Sequence, residues 1–162
     1  MMKGVCMRYA ANEEEAEDIL QEAFIRGFKN LNKYNETGPL GAWLRKIAVN
    51  TALEQYRKNK SLKNISAMFD HSESRLTVED GAIEQLELED LLLKIQQLPT
   101  GFRTVFNLYA IEGYNHREIA KMLSISEGTS KSQYSRARVI LRAMIENELK
   151  GEKKMLAQWS GS

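Results

Sequence analysis

The sequence predicts an all-α fold of two small helical domains joined by a flexible acidic linker. Apolar residues recur at three- and four-residue steps through most of the chain, which is the period of an amphipathic helix. No segment alternates apolar and polar residues in a way that indicates a strand. Residues 61–80 are polar and without period, so we interpret them as a linker between domains at 1–60 and 81–150, with a tail at 151–162.

The first domain is predicted to contain two long helices separated by NETGPLG, whose Asn, Gly and Pro residues end a helix. Asn12 is a candidate N-cap, and the glutamates that follow it complement the helix dipole. The first helix is expected to end near Tyr34, and the second to span about residues 40–60. The stripe expected to be buried on the first helix is Ala16, Ile19, Leu20, Ala23, Phe24, Phe28 and Leu31. The inward residues expected on the second are Trp43, Leu44, Ile47, Ala48, Thr51 and Ala52.

The second domain is predicted to be a series of helices, the first over about residues 78–98 and ended by Pro99. Gly113 suits the position just past the end of the next helix. Asn115 with Glu118 forms a capping box that opens HREIAKML, and Ser126 is expected to cap a long last helix. Gly151 and the residues after it are expected to be frayed.

The stretch NHREIAKMLSISEGTSKSQYSRAR predicts a helix-turn-helix, with Ala120 at the helix crossing and Ser124 at the bend. The second helix carries hydrogen-bond donors suited to phosphates and base edges: Thr129, Lys131, Ser132, Gln133, Ser135 and Arg136. Ser130 lies where an inward aliphatic residue is usual, and its hydroxyl, if buried, is expected to bond a backbone carbonyl. The alternative is a helical hairpin with a solvated basic face.

The charge is unevenly distributed, although the net charge is only +1. Residues 1–60 hold ten Lys and Arg against eight Asp and Glu, residues 61–98 hold three against eight, and residues 99–162 hold ten against six. Two mildly basic blocks therefore flank an acidic middle, which favours nucleic-acid contacts near both ends of the chain.

Composition also excludes several classes of protein. No apolar run approaches the roughly 20 residues that cross a bilayer, and no secretory signal is present, so we expect a cytoplasmic protein without membrane insertion. Cys6 is the only cysteine, which excludes an intrachain disulfide and a thiolate metal cluster, and it is expected to be buried. His71 and His116 lie far apart in sequence, and no catalytic set is recognisable. We therefore expect no enzyme, metal or cofactor.

Two surfaces of the first domain suggest binding. Glu14, Glu17, Asp18 and Gln21 lie opposite the apolar stripe and suit docking on a basic helical surface, although such a run is often only solvated. The second helix combines aromatic rings, cations and an amide, as single-stranded nucleic acid requires. These residues are Trp43, Tyr56, Arg45, Lys46, Arg57, Lys58, Lys60 and Asn50. The alternative for Trp43 is a place in the core.

Three motifs in this order resemble the sigma-70 family, in particular the extracytoplasmic function (ECF) group of RNA polymerase sigma factors. They are AEDILQEAF, WLRKIAVNTALEQYR and LPTGFRTVFNLYAIEGYNHREIAKMLSISEGTSKSQYSRAR. The resemblance implies that residues 1–60 are region 2, which binds the polymerase clamp and the promoter −10 element. It implies that residues 81–150 are region 4, which binds the −35 element and the polymerase flap. The family normally has further residues before the stretch that begins here at Met1, so the chain is expected to be truncated or to begin at a later start codon.

The resemblance also assigns roles to individual residues. Asp18, Gln21 and Glu22 match the contact with the coiled-coil clamp of the largest polymerase subunit. The loop from Tyr34 to Gly41 and Asn50 match the capture site of a flipped −10 base, with Trp43, Arg45, Lys46 and Arg57 on the adjoining helix. Lys131, Ser132, Ser135 and Arg136 match the readers of the −35 duplex. The implied partners are core RNA polymerase, promoter DNA and an anti-sigma factor, and the free chain is expected to be a monomer.

Two other interpretations remain open at the level of sequence. A standalone helix-turn-helix regulator would bind duplex operator DNA by itself, as a dimer. A purely structural helical adaptor would show no salt-dependent binding to DNA. A sigma factor, by contrast, is expected to bind promoters weakly when free and to gain affinity with core polymerase.

Overall fold

The computed structural model describes residues 2–35, 38–66 and 88–160, and these form seven α-helices and no β-strand. The helices are α1 (Met2–Tyr9), α2 (Glu13–Lys29), α3 (Leu40–Ser66), α4 (Leu88–Gln97), α5 (Thr100–Phe106), α6 (His116–Leu123) and α7 (Glu127–Ser160). A 3₁₀ turn, Leu31–Lys33, follows α2, and a π-helical turn, Asn107–Ile111, follows α5. The predicted all-α fold is confirmed.

Side-chain capping explains where three of the helices begin, as the sequence predicted. The capping hydrogen bonds run from the Glu15 N–H to Asn12 Oδ1 (2.8 Å), from the Glu118 N–H to Asn115 Oδ1 (2.9 Å) and from the Thr129 N–H to Ser126 Oγ (2.9 Å). The predicted capping box at Asn115 and Glu118 is complete. Gly113 has φ +80°, and Ser124 at the bend has φ 53°, so the chain reverses at both positions through left-handed backbone.

Two helices extend further than the sequence predicted. Helix α3 continues to Ser66, through the first residues of the predicted linker, and α7 continues to Ser160, through the predicted frayed tail. The single Gly151 costs the helix only about 1 kcal/mol, which its neighbours offset. The rest of the predicted linker and residues 78–87 of the next predicted helix lie outside the described residues.

The first three helices pack along a narrower stripe on α2 than predicted. The buried residues of α2 are Ala16, Ile19, Ala23 and Gly27, of which all but Ile19 are small. A Cβ on Gly27 would lie 2.8 Å from Leu44 Cδ2, so a side chain at this position would require the Leu44 side chain to shift. The prediction that Phe24, Phe28 and Leu31 are buried is wrong, since they are 38%, 76% and 50% exposed. Helix α3 packs on the line of small residues and leaves the larger ones at its side.

One apolar core joins the two ends of the chain. Val5 and Leu53 of the first half lie in the same buried cluster as Val105, Leu108 and Ile119 of the second. Cys6 is buried there too, as predicted. A smaller cluster between α4 and α7 consists of Ile95, Leu98, Ala137 and Leu141. Both candidate DNA-binding helices are therefore held in one packed body.

Candidate nucleic-acid and polymerase interface

The predicted polymerase-binding residues are exposed on α2. Asp18 and Gln21 project into solvent. Glu22 is exposed as well, but its Oε1 accepts a hydrogen bond from Arg26 Nε at 2.6 Å, and this partner lowers the pKa of Glu22. Arg26 Nη1 also donates to Glu54 Oε2 at 2.6 Å, which ties α2 to α3. Asp18 and Gln21 thus form the accessible part of the predicted site, and Glu22 belongs to an ion-pair chain.

Two apolar residues extend this exposed face. Ile25 is 48% exposed and Phe28 is 76% exposed, and both follow Asp18 and Gln21 at three- and four-residue steps. Neither residue was predicted to be exposed, because an apolar residue at helical spacing is usually buried. The exposure of a large aromatic ring beside acidic and amide groups is typical of a protein-binding surface.

The predicted −10 residues lie on α3 and on the loop before it. The Tyr34 hydroxyl donates to the Gly38 carbonyl at 2.5 Å, and its ring centroid lies 5.6 Å from that of Trp43. Trp43 is half-buried, with its ring edge 3.9 Å from the position that a Cβ on Gly27 would occupy. Trp43 is thus neither fully in the core nor fully exposed, and its contact with DNA stays a prediction. The other predicted residues, Lys46, Asn50 and Arg57, are exposed.

Arg45 differs from its predicted neighbours because it is engaged by the other half of the chain. Its Nε donates to Glu112 Oε2 at 3.0 Å, and its Nη2 donates to Glu112 Oε1 at 2.9 Å. The Glu112 side chain is only 10% exposed and also accepts from Arg8 Nη2 at 3.5 Å. This carboxylate raises the pKa of Arg45. Sequence spacing gives no signal for a pair so far apart, and Glu112 was not predicted.

Two amides reinforce the contact between the halves. Asn107 Nδ2 donates to the Arg8 carbonyl at 2.7 Å, and Gln96 Nε2 donates to the Met7 carbonyl at 2.9 Å. Both carbonyls belong to the last turn of α1, where they have no partner within the helix. Side chains from the second half therefore cap a helix of the first.

The predicted −35 residues occupy the first turns of α7. Lys131 Nζ lies 2.8 Å from Glu127 Oε1, and the Ser132 hydroxyl donates to the Thr129 carbonyl at 3.0 Å. Lys131, Ser132 and Ser135 are exposed, whereas Thr129, Gln133 and Arg136 are half-buried. The helix-turn-helix is intact behind them, with Ile119 and Leu123 buried.

Gln133 faces the interior rather than solvent. A Cβ on Gly101 would lie 3.6 Å from Gln133 Nε2 and 3.5 Å from the hydroxyl of Tyr56 on α3. The Gln133 Oε1 atom is buried and accepts no hydrogen bond from the part of the chain that the structure describes. Gln133, which is a predicted −35 residue, and Tyr56 of the first half therefore both lie beside Gly101.

Two negative findings concern the described residues alone. Within 2–35, 38–66 and 88–160, no group of three or more His, Cys, Asp or Glu side chains could hold a metal ion. In the same ranges, no helix combines the length and apolar character that a bilayer crossing requires.

The two ends of the chain match two regions of one class of protein, the sigma-70 factors. Sigma-70 region 2 matches residues 1–62, and Sigma-70, region 4 matches residues 88–141. The ECF RNA polymerase sigma factor SigW of Bacillus subtilis (strain 168) is 32% identical over 153 residues, covering 88% of this chain and 82% of SigW. SigM of the same organism is 30% identical over 138 residues, covering 85% of this chain and 83% of SigM. The chain therefore belongs to the ECF group of sigma factors.

A solved structure supports the same fold. The sigma factor RpoE, crystallised in complex with the anti-sigma factor NepR from Bartonella quintana, matches with a TM-score of 0.54 and 22% sequence identity. The match covers 90% of this chain and 89% of that one. The resemblance predicted from the three motifs is thus confirmed at the level of family and fold.

Proposed function

We propose that this protein is a promoter-specificity subunit of RNA polymerase, which binds the core enzyme, recognises −35 and −10 elements and helps to open the duplex. The observation that carries the proposal is the match of both halves of the chain, in order, to the two sigma-70 regions. Catalysis belongs to the polymerase, and the protein acts in the cytoplasm. A standalone regulator is disfavoured, because it gives no reason for the first half to match region 2.

Polymerase docking is assigned to the exposed face of α2. Asp18 and Gln21 supply polar contacts, and Ile25 and Phe28 supply apolar area that becomes buried on association. Aromatic residues at the centre of an interface commonly contribute most of the binding energy. Glu22 acts through Arg26, because their ion pair holds the surface of α2 in place.

Capture of the −10 element is assigned to α3 and its preceding loop. An extruded base can stack on the Tyr34 and Trp43 rings, and the Asn50 amide can hydrogen-bond to the polar edge of that base. Lys46 and Arg57 are exposed and can contact the phosphate backbone of the melted strand. Arg45 joins them once it is released from Glu112.

Recognition of the −35 duplex is assigned to the start of α7. The helix N-terminus and Lys131 attract phosphates, and the hydroxyls of Thr129, Ser132 and Ser135 reach base edges or backbone. Arg136 lies one turn further on, where it can contact the flanking phosphates. Gln133 is half-buried, and its side chain would turn outward to reach a base.

The closed arrangement of the halves explains why a free sigma factor would bind promoters weakly. Glu112 of the second half occupies Arg45 of the first half, so this part of the candidate −10 surface is masked in the closed arrangement. Core polymerase would hold the halves apart and let them engage one DNA molecule together. Two weak contacts then gain affinity through effective concentration, without new interactions. The linker between the halves, predicted at residues 61–80, remains part of this proposal with its start moved beyond Ser66, where α3 ends.

The remaining partners follow from the family. SigW and SigM are RNA polymerase sigma factors by name, and the structurally similar RpoE is bound to an anti-sigma factor. We propose a comparable anti-sigma partner for this chain, which is a monomer when it is free.

The test of the proposed function is reconstitution with core RNA polymerase. Wild-type protein should co-elute with the core enzyme, and the double variant Asp18→Arg, Gln21→Ala should not, while its unfolding midpoint stays unchanged. Glu146→Arg is the matched control, because it reverses an exposed charge that lies on α7 rather than on α2. Normal association of the double variant would contradict the docking site. A wild-type dimer that binds operator DNA tightly without polymerase would support a standalone regulator.

A further inference from the structure

Ser130 carries a buried hydroxyl in the helix-turn-helix. The residue lies in the second turn of α7 and is 0% exposed. Its Oγ lies 2.9 Å from His116 Nδ1, and a hydrogen bond joins the two atoms. The expected bond to a backbone carbonyl is therefore wrong, because the imidazole offers a partner within reach. The bond connects the first residue of α6 to the recognition helix α7.

His116 is itself held in place by aromatic contacts. Its ring stacks on Tyr109, with centroids 4.3 Å apart and planes inclined by 14°. The ring also meets Tyr134 edge-on at 5.8 Å. Tyr109 belongs to the π-helical turn before α6, and Tyr134 belongs to α7. The imidazole of α6 thus contacts both the π-helical turn before it and α7 after it, and these contacts restrict the movement of its Nδ1 atom.

The position of this hydrogen bond matters because Ser130 lies between candidate DNA contacts. Thr129 and Lys131 flank it, and Ser132 follows. An apolar contact at residue 130 would tolerate some rotation of α7 about its axis, because dispersion forces have little directional preference. A hydrogen bond weakens steeply when its angle departs from linearity. The polar pair therefore restricts the rotation of α7 more than an aliphatic residue would.

We propose that His116 and Ser130 are positioning residues for promoter recognition, whose hydrogen bond sets the rotation of α7 and thereby the register of Thr129, Lys131 and Ser132 on the −35 duplex. The inference rests on the proposed function of α7 as the −35 reader. Neither residue needs to touch DNA. Both act through their neighbours on the recognition helix.

Three substitutions separate the hydrogen bond from the ring stacking. His116→Phe keeps a ring against Tyr109 but has no nitrogen for Ser130. His116→Asn places an amide group near the position of Nδ1 but has no ring. Ser130→Ala removes the hydroxyl from the other side, and combining it with His116→Phe leaves no polar group of the pair unpaired.

The experiment uses each full-length chain assembled with core RNA polymerase. Duplexes are first selected from a random-sequence library by the wild-type assembly, and the affinity of each variant is then measured for a selected duplex and for a scrambled duplex of equal composition. The readout is the ratio of the two affinities. A loss of folded protein lowers both affinities in proportion and leaves their ratio unchanged, so this ratio reports positioning rather than stability.

We expect His116→Phe and Ser130→Ala to lower the ratio about fivefold, the effect of one lost hydrogen bond, and His116→Asn to retain most of it. The double variant should regain thermal stability relative to His116→Phe while its ratio stays low. A ratio unchanged in both single variants would overturn the inference and leave the pair a merely structural role. A wild-type assembly that selects no motif would overturn the proposed function itself, and the inference would fall with it.

Discussion

His116 titrates in surroundings that favour its neutral form. Burial is the main cause of its lowered pKa, and the positive charge of Lys131 adds to it, while Glu127 opposes both. The ordinary pKa of a histidine is about 6.5. Since the folded chain binds this proton less tightly than the unfolded chain, stability from this site is present above that value and is lost as the pH falls below it.

A pH titration of stability tests this description of His116. We expect the urea midpoint of the wild type to fall more steeply than that of His116→Phe between about pH 7 and pH 5, because only the wild type takes up the proton on unfolding. Every other titrating group is common to the two proteins, so their difference isolates His116. If the urea midpoints of the two proteins change in parallel with pH, the lowered pKa of His116 is contradicted.

Some features of single residues were predictable, and others were not. The caps Asn12, Asn115 and Ser126 depend on neighbours within three positions, so the sequence carries the whole signal. The sequence also marked Ser130 as unusual. Its partner His116 lies 14 positions away across a turn, and only the fold brings the two together.

Helix α2 has two functions on two faces. The line of small residues through Ala23 and Gly27 packs on α3, and the face with Gln21, Ile25 and Phe28 remains in solvent. A pattern of apolar residues predicts the helix and its period, but it does not predict which row of residues the neighbouring helix packs on. Residue size matters here, because the side chains of Leu44 and Trp43 lie within 4 Å of the place where Gly27 lacks a Cβ.

The exposed ring of Phe28 provides a test at this scale. We expect Phe28→Ser to weaken binding to the clamp coiled coil of the largest polymerase subunit about fivefold or more, as truncation of a central aromatic residue does. The free energy of unfolding of Phe28→Ser should differ from that of the wild type by less than about 0.5 kcal/mol, because the Phe28 side chain is exposed. Titration calorimetry measures the first quantity and urea unfolding the second.

Leu93→Ser is the matched control for Phe28→Ser. Leu93 is 57% exposed and lies on α4 rather than on the docking helix α2, so its replacement should leave binding to the clamp coiled coil unchanged. Equal losses in both variants would indicate non-specific apolar contact. No loss in Phe28→Ser would remove that residue from the docking face.

The whole molecule is held closed by contacts that pair its two halves. Glu112 binds Arg45 and Arg8, and amides from the second half cap the end of α1. The sequence indicated two helical domains and an acidic connection, and the order of motifs predicted the family. It carried no signal for the closed arrangement, since that depends on long-range pairs that no local pattern encodes.

Removal of the Glu112 charge should favour the open arrangement. We expect Glu112→Gln to raise the affinity of the free chain for single-stranded −10 DNA about fivefold, because Arg45 loses a charged hydrogen-bond partner that competes with phosphate. Fluorescence anisotropy with a labelled oligonucleotide measures this change. The probe carries the −10 sequence recovered from promoters that the wild-type holoenzyme uses.

Glu146→Gln is the control for Glu112→Gln. It removes the same charge from an exposed pair with Arg142 on α7 and should leave the affinity unchanged, apart from the small effect of net charge. An equal rise in both variants would mean that charge alone is responsible. No rise in Glu112→Gln would show that Glu112 does not mask Arg45.

Run-off transcription with core RNA polymerase on a genomic library tests the proposed function most directly. We expect the added protein to start transcripts at sites that share an upstream pair of −35 and −10 elements, with no such starts from core enzyme alone. The proposal is contradicted if the protein adds no starts, or if the isolated chain binds a duplex operator tightly as a dimer without polymerase.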